Sequence, residues 1–264
     1  MITISYEELA LGSVLLLLNG VVSLWFRTGM AVTLVVSSVR MVVQLGLMAY
    51  VLRYLFLTQM PLWTLLAVVV MISFAGYEVM ARQKHQIEGG WGYGIGMGSM
   101  LMAASLVTTF SLFVQIKPDP WYDARYTIPL LGMVLGNTMT GISIGLTTLT
   151  TNLKQERDAI ETRLALGHNK WAACETVVRQ ALYTGMIGIV NSMSAAGLVF
   201  IPGMMTGQLM AGADPIEAAK YQALVMFLIA GGTTIGTTLA VFLGVYRLTD
   251  NRHRLRLERL ILRK

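Results

Sequence analysis

Apolar residues in this chain gather into seven blocks, at roughly 8–26, 31–52, 61–79, 91–114, 127–149, 182–202 and 221–246. Each block is about 20 residues, the length a helix needs to cross the ~30 Å hydrocarbon layer of a bilayer. Charged residues fall between the blocks, and seven blocks leave too little sequence to shield them from water. The pattern predicts an all-α polytopic membrane protein with about seven transmembrane helices. Residues 1–264 then form one transmembrane domain, with no soluble domain and no internal repeat. Composition agrees, because only 13% of the 264 residues are charged and 55% are hydrophobic. A soluble domain carries about 25% charged residues.

Basic residues orient the chain. With the N-terminus outside, fifteen of the 20 fall on the cytoplasmic side. They are Arg27, Arg82, Lys84, Lys154, Arg157, Arg163, Lys170 and Arg179, followed by Arg247, Arg252, Arg254, Arg256, Arg259, Arg263 and Lys264 of the tail. Arg53, Lys117, Arg125 and Lys220 fall outside, and Arg40 lies within a span. Positive-inside insertion produces this asymmetry, so the expectation is N-out and C-in, multi-pass in the cell inner (plasma) membrane. The net charge of +6 is then accounted for by anionic lipid headgroups and requires no nucleic acid. The basic cytoplasmic tail, 247–264, interleaves Leu255, Leu257, Leu260 and Ile261 with arginines. It reads equally as an amphipathic helix on the membrane surface or as a solvated, topogenic tail. The acidic start MITISYEE lacks a basic leader region, so the first span is expected to be retained. The single cysteine, Cys174, cannot form an intrachain disulfide and reads as an ordinary small residue of a loop helix.

Glycine marks close approaches. GGWGYGIGMGSM (89–100) does not fit a dinucleotide-binding fingerprint and reads as a small-residue face for helix packing. Gly132, Gly136, Thr140, Gly141 and Gly145 form a second such face, a candidate for self-association. The connector Ile201–Pro215, IPGMMTGQLMAGADP, is too apolar for an exposed loop and too rich in Gly and Pro for a regular span. It is either broken backbone lining a translocation path or a packed outer loop.

Candidate chemistry is sparse. All 14 acidic residues lie at span ends or in loops, which argues against an intramembrane proton relay. The histidines His85, His168 and His253 show no metal-site spacing. Arg40 and Gln44 share a helix face inside the second block, where an arginine costs ~2.5–3.5 kcal/mol on insertion scales. They either line a path or form a structural bridge. Asn191, Ser192 and Ser194 make a polar notch before the connector, and Met193, Met204 and Met205 lie beside it. Thioethers ligate soft metals, but methionine also fills irregular apolar space. Arg40, Gln44, Asn191, Ser192, Met193, Met204, Met205 and Gln208 are the candidate translocation path, with Met193, Met204 and Met205 as candidate metal ligands. No lysine follows a glycine, so the chain has no G-x-x-x-x-G-K-[ST] phosphate loop. It is expected not to be an enzyme, and any ATP and Mg²⁺ would bind a separate subunit.

The segment 151–181 is the long charged stretch between blocks. In it Glu161-Thr-Arg-Leu-Ala-Leu-Gly167 places Glu six residues before a helix-breaking Gly. A short helix ending there, then a second over Lys170–Ala181, would form a cytoplasmic coupling element. Glu161, Arg163, Ala165, Leu166, Gly167 and His168 are its candidate contacts. The segment resembles the cytoplasmic loop of ABC-transporter permeases, matching its Glu and Gly but lacking its terminal Leu-Pro. ALGHNKWAA, VNSMSAAGLVFIPGMMTGQLMAGADPIEA and YQALVMFLIAGGT resemble the FetB-type iron-export permeases across nearly the whole chain. That family also includes plant permeases associated with aluminium tolerance. The resemblance implies a permease without bound cofactors, two copies pairing with two ATP-binding-cassette subunits, exporting iron or a related species in metal homeostasis and oxidative-stress resistance. From the residues alone, an autonomous ion-coupled transporter or channel stays open. So does a permease for an anionic metal chelate or nucleotide sugar.

Overall fold

The computed structural model describes residues 5–58, 60–83, 85–116, 120, 122–250, 252 and 254–262. Lys84, Lys117, Asp119, His253, Arg263 and Lys264 lie outside the described residues, as does MITI (1–4). The chain divides into two compact units, 1–60 and 61–264.

The first unit is a helical pair, α1 (Tyr6–Trp25) and α2 (Ala31–Thr58). A Ser5–Glu8 capping box starts α1, each side chain bonding the other's backbone N–H. Leu11, Leu15, Val32, Val43 and Leu47 are all more than half exposed. A helix apolar on every side is built for lipid rather than water.

In the second unit α3 (Pro61–Arg82), α4 (Trp91–Phe110), α5 (Ala124–Gln155), α8 (Glu175–Ala195) and α10 (Pro215–Leu248) pack together. A π-helical turn, Ser111–Ile116, extends α4. Short helices α6 (Arg157–Ala165) and α7 (Lys170–Ala173) join α5 to α8, and α9 (Gly203–Met210) joins α8 to α10. One core cluster runs through all of these helices except α9, with Val79, Met100, Ile142, Leu146, Leu149, Leu153, Ile160 and Val245 essentially inaccessible.

Among the described residues, five helices are long and apolar enough to cross a membrane: Ala31–Thr58, Pro61–Ala81, Trp91–Val114, Ala124–Gln155 and Pro215–Leu248. Leu11–Trp25 is a shorter apolar helix. The block expected as a span at 182–202 is not among the five. Its helix begins at Glu175 and stops at Ala195, because Ala196 turns extended and Gly197 takes φ +87°. The segment 151–181 is correspondingly shorter as a connector, since α5 runs on to Gln155 and α8 already begins at Glu175.

The tail is neither the amphipathic helix nor the solvated arm that its composition suggested. Residues Leu260–Leu262 form β2, antiparallel to β1 (His85–Ile87) in the α3–α4 connection, with Ile87 opposite Leu260. Glu88 N–H donates to the Arg259 carbonyl at 2.8 Å, and the Arg259 guanidinium donates to the Arg247 carbonyl at the end of α10 at 2.7 Å. In the alternating stretch before the strand Leu255 and Leu257 pack on the main cluster, and Leu260 of β2 lies in it at only 8% exposed. The α3–α4 connection, the α5–α8 connection and the tail therefore meet at one end of this unit. Leu260→Ala should cost about 2–3 kcal/mol by removing buried methyls. Thermal melting in detergent and tryptic cleavage after Arg82 would both report the loosened strand. An unchanged melt would mean the strand contributes nothing.

The glycine faces serve packing inside the chain. Cβ atoms built at Gly92 and Gly96 would contact Met80 and Val79 of α3, whereas Gly94 and Gly98 face open space. Gly141 and Gly145, expected as a self-association face, instead lie against Thr233 and Thr237 of α10 and backbone of α8. Gly132 meets only the tip of Met71, and Gly136 meets nothing within 4 Å.

Candidate coupling and translocation sites

Helix α6 is held from beneath by Ile160, which is wholly buried. It ends in a Schellman motif: Gly167 N–H donates to the Leu164 carbonyl at 3.0 Å and His168 N–H to the Arg163 carbonyl at 3.1 Å. The motif needs a left-handed residue, and Gly167 supplies it at φ +92°. Asn169 then caps α7 by accepting from Ala172 N–H at 2.9 Å. The result is a tip on which Ala165, Leu166, Gly167 and His168 are exposed, Leu166 by 75%. Glu161 pairs with Arg157 at 2.8 Å, an exposed i,i+4 bridge worth little by itself.

Arg163 also makes contacts within the chain. Its guanidinium donates to the Ala173 carbonyl at 3.1 Å and lies 3.4 Å from the Thr176 hydroxyl, tying α6 to the α7–α8 junction. Lys170 and Trp171, not singled out from sequence, complete the anchorage. The Lys170 ammonium sits 4.7 Å from the Tyr246 ring centroid, and Trp171 stacks at 5.4 Å on Phe242. Trp171 in a charged loop is the signal that marked them.

Cys174 separates α7 from α8 and is fully inaccessible. Burial pushes its thiol up to about 11, against which Arg163 pulls weakly down. At neutral pH the thiolate fraction falls roughly 100-fold below that of an exposed thiol. Maleimide at pH 7 should therefore leave the folded protein unlabelled and label Cys174 only on unfolding. Rapid labelling of the native protein would contradict this burial.

The tail turn faces α6. Asp250 accepts from Arg254 N–H at 2.8 Å, from the Arg254 guanidinium at 2.8 Å and from Arg252 N–H at 2.9 Å. The Arg254 amide, then its guanidinium, hold the carboxyl down at about 2. The charged turn is thus favoured above the ordinary carboxylate range and is lost only as pH falls toward 2. Between the two elements lies a cleft of about 440 Å³ lined by Glu161, Leu164, Ala165, Arg252, Arg254 and Leu255.

The path candidates separate between the units. Arg40 and Gln44 belong to the first, on α2, and both are exposed. The others belong to the second. Ser192 donates back to the Gly188 carbonyl at 3.0 Å, Asn191 is exposed, and Met193 is 39% exposed. Met204 packs on a second core cluster formed by Val107, Leu130, Val134, Ile189, Val225, Leu228 and Ile229. The Gln208 side-chain oxygen on α9 is buried without a hydrogen-bond partner. Just before the connector, Leu198 is 94% and Val199 80% exposed. Among the described residues no group of three or more His, Cys, Asp or Glu could hold a metal.

A cavity of about 520 Å³ between α3, α4 and α5 was not signalled by sequence. Its lining includes Val68, Ile72, Leu112, Phe113 and Tyr122, with the buried, unpartnered hydroxyls of Thr108 and Thr127. Three helices contribute to it, and no local motif spans them.

Comparison with known proteins is consistent along the chain. A family model described as "Uncharacterised protein family (UPF0014)" matches residues 6–249. The "UPF0014 membrane protein slr1647" of Synechocystis is 36% identical over 214 residues, covering 81% of this chain and 82% of that protein. "Protein ALUMINUM SENSITIVE 3" of Arabidopsis thaliana is 32% identical over 210 residues, 80% of this chain and 75% of its own. The "Probable iron export permease protein FetB" of Escherichia coli is 28% identical over 255 residues, 96% of this chain and 95% of its own. No solved structure matches.

Proposed function

The chain belongs to the UPF0014 family, and from that premise we propose that it is the membrane subunit of an ATP-driven exporter. It is a membrane protein, as its relatives are and as its long apolar helices require. In the proposed arrangement the chain spans the inner membrane about seven times, N-out and C-in. It pairs with a second copy of itself and with two ATP-binding-cassette subunits, and those subunits bind ATP and Mg²⁺. The chain itself hydrolyses nothing.

The observation that carries this reading is the exposed Leu166–Gly167–His168 tip on a rigid base. Ile160, Arg163, Lys170 and Cys174 fix that base to α8 and α10. A nucleotide-driven push on the tip would be passed to those helices with little local give. The cargo is proposed to be iron or a related metal species, supported by the name of the Escherichia coli relative. Met193, Met204, Met205 and the unpartnered Gln208 oxygen offer soft and neutral ligands near the α8–α9 turn. Asn191 and Ser192 precede Met193 in the chain.

The tagged chain would be purified in mild detergent from its native membrane and assayed for ATP hydrolysis. The expected result is an ATPase subunit at near-equal stoichiometry, with ATP hydrolysis in the preparation. A chain that comes out alone, yet moves substrate down an ion gradient in liposomes, would be an autonomous secondary transporter instead.

A further inference from the structure

We propose that a cleft between the end of α3 and the middle of α5 binds the phosphoryl oxygens of a singly charged phosphate diester. The cleft is about 360 Å³ and is lined by Arg82, Thr140, Ser143, Ile144, Thr147 and Thr148. It lies apart from the coupling tip, and nothing in the exporter reading depends on it.

Ser143 distinguishes the cleft from an ordinary helix surface. Its neighbours quench their hydroxyls locally: Thr140 donates to the Gly136 carbonyl at 3.0 Å and Thr147 to the Ser143 carbonyl at 2.7 Å. Thr148 accepts from the Thr184 hydroxyl at 3.0 Å. Ser143 is only 6% exposed, and its hydroxyl has no hydrogen-bond partner. A buried donor left unmade is costly, and rotation of the Ser143 side chain about χ1 toward the cleft would let a ligand oxygen satisfy it.

Arg82 supplies the charge. Its side chain is half exposed, and its Nε lies 3.5 Å from the Glu78 carboxylate, longer than a good hydrogen bond. A guanidinium fork matches phosphoryl oxygens. Glu78, whose side chain is only 12% exposed, repels a second negative charge, so a monoanionic diester fits better than a dianionic monoester. Arg82 stands in the last turn of an apolar helix, at the end of the unit that also carries Lys154, Arg247 and Arg259. That is where glycerophospholipid headgroups lie, and Ile144 offers an apolar shoulder for an acyl chain. The same chemistry would also accept a water-soluble diester.

The full-length chain in neutral detergent would be melted with added phosphatidylglycerol, diacylglycerol or soluble glycerophosphoglycerol, and binding counted by native mass spectrometry. Phosphatidylglycerol should raise the melting temperature and diacylglycerol should not. Arg82→Gln should weaken the lipid's apparent affinity roughly tenfold, with Arg82→Lys intermediate. Ser143→Ala should weaken it about threefold to tenfold while leaving the lipid-free melt unchanged or raised, since it deletes an unmet donor. That variant keeps the test alive if Arg82→Gln fails to fold. An Arg82-dependent shift from the soluble diester alone would support the site and make its natural ligand a solute. Equal effects of phosphatidylglycerol and diacylglycerol, or full lipid affinity in both Arg82→Gln and Ser143→Ala, would overturn the proposal.

Discussion

Gly185→Leu should leave little or no folded protein, and Gly185→Ala should melt well below the parent. A Cβ at this position would stand 2.6 Å from the Thr237 methyl, 2.8 Å from the Gly141 carbonyl oxygen and 3.4 Å from the Gly145 backbone. Gly141 meets Thr233, Thr237 and the Gly185 carbonyl at 2.7–2.9 Å in the same way. Helices α5 and α8 thus touch almost backbone to backbone, with the Thr233 and Thr237 side chains of α10 packed against the same spot. Inside a bilayer no hydrophobic force presses helices together, so this fit supplies much of what holds them. Overpacking costs about 1–3 kcal/mol even where side chains can yield. Here carbonyls must move, and leucine adds three more carbons. Gly188→Ala provides the contrast on the same helix. Nothing lies within 4 Å of its Cβ, and alanine gains about 0.5–1 kcal/mol of helix propensity. Size-exclusion profiles after graded heating should order the variants as Gly188→Ala, parent, Gly185→Ala, Gly185→Leu. A Gly185→Leu protein as heat-resistant as the parent would show that these helices do not meet there.

The class of the protein was legible because apolar length is set by the bilayer and needs no tertiary information. The α3–α4 contact was legible for a related reason: Gly92 and Gly96 recur on one helix face, and small residues permit close approach. Which helix they approach was not, and Gly141 and Gly145 were assigned outward although they pack inward. The stop of α8 at Ala195 was missed because Leu198–Ile201 is as apolar as any span, while the break depends on the single φ of Gly197. The tail strand was hidden because β1 and β2 are three residues each and lie far apart in sequence. Period-two patterning so short cannot be told from an amphipathic helix. At the coupling site the helix break at Gly167 followed from glycine chemistry, whereas Arg163 read only as one of the candidate contacts. Only its contacts with Ala173 and Thr176 reveal a clamp.

Gly167→Leu should insert and fold normally yet lose at least roughly tenfold in transport, while the partner's ATP hydrolysis continues. The substituted Cβ meets nothing within 4 Å, so no clash unfolds the bundle. The cost is conformational: a left-handed backbone is worth about 1–2 kcal/mol against an ordinary L-residue. That is enough to displace Gly167 from φ +92° and break the two bonds that close α6. The exposed Leu166 tip would then swing free of the base held by Ile160 and Arg163, and a push on it would no longer reach α8. Asparagine tolerates the left-handed region, so Gly167→Asn should keep most transport at the same position. Parallel measurement of hydrolysis and transport in proteoliposomes separates the possibilities. Loss in Gly167→Leu with retention in Gly167→Asn assigns coupling to the backbone turn. Parent-rate transport in Gly167→Leu would remove the tip from the coupling route altogether. Loss in both variants would mean that a partner surface packs directly against the glycine and rejects any side chain there.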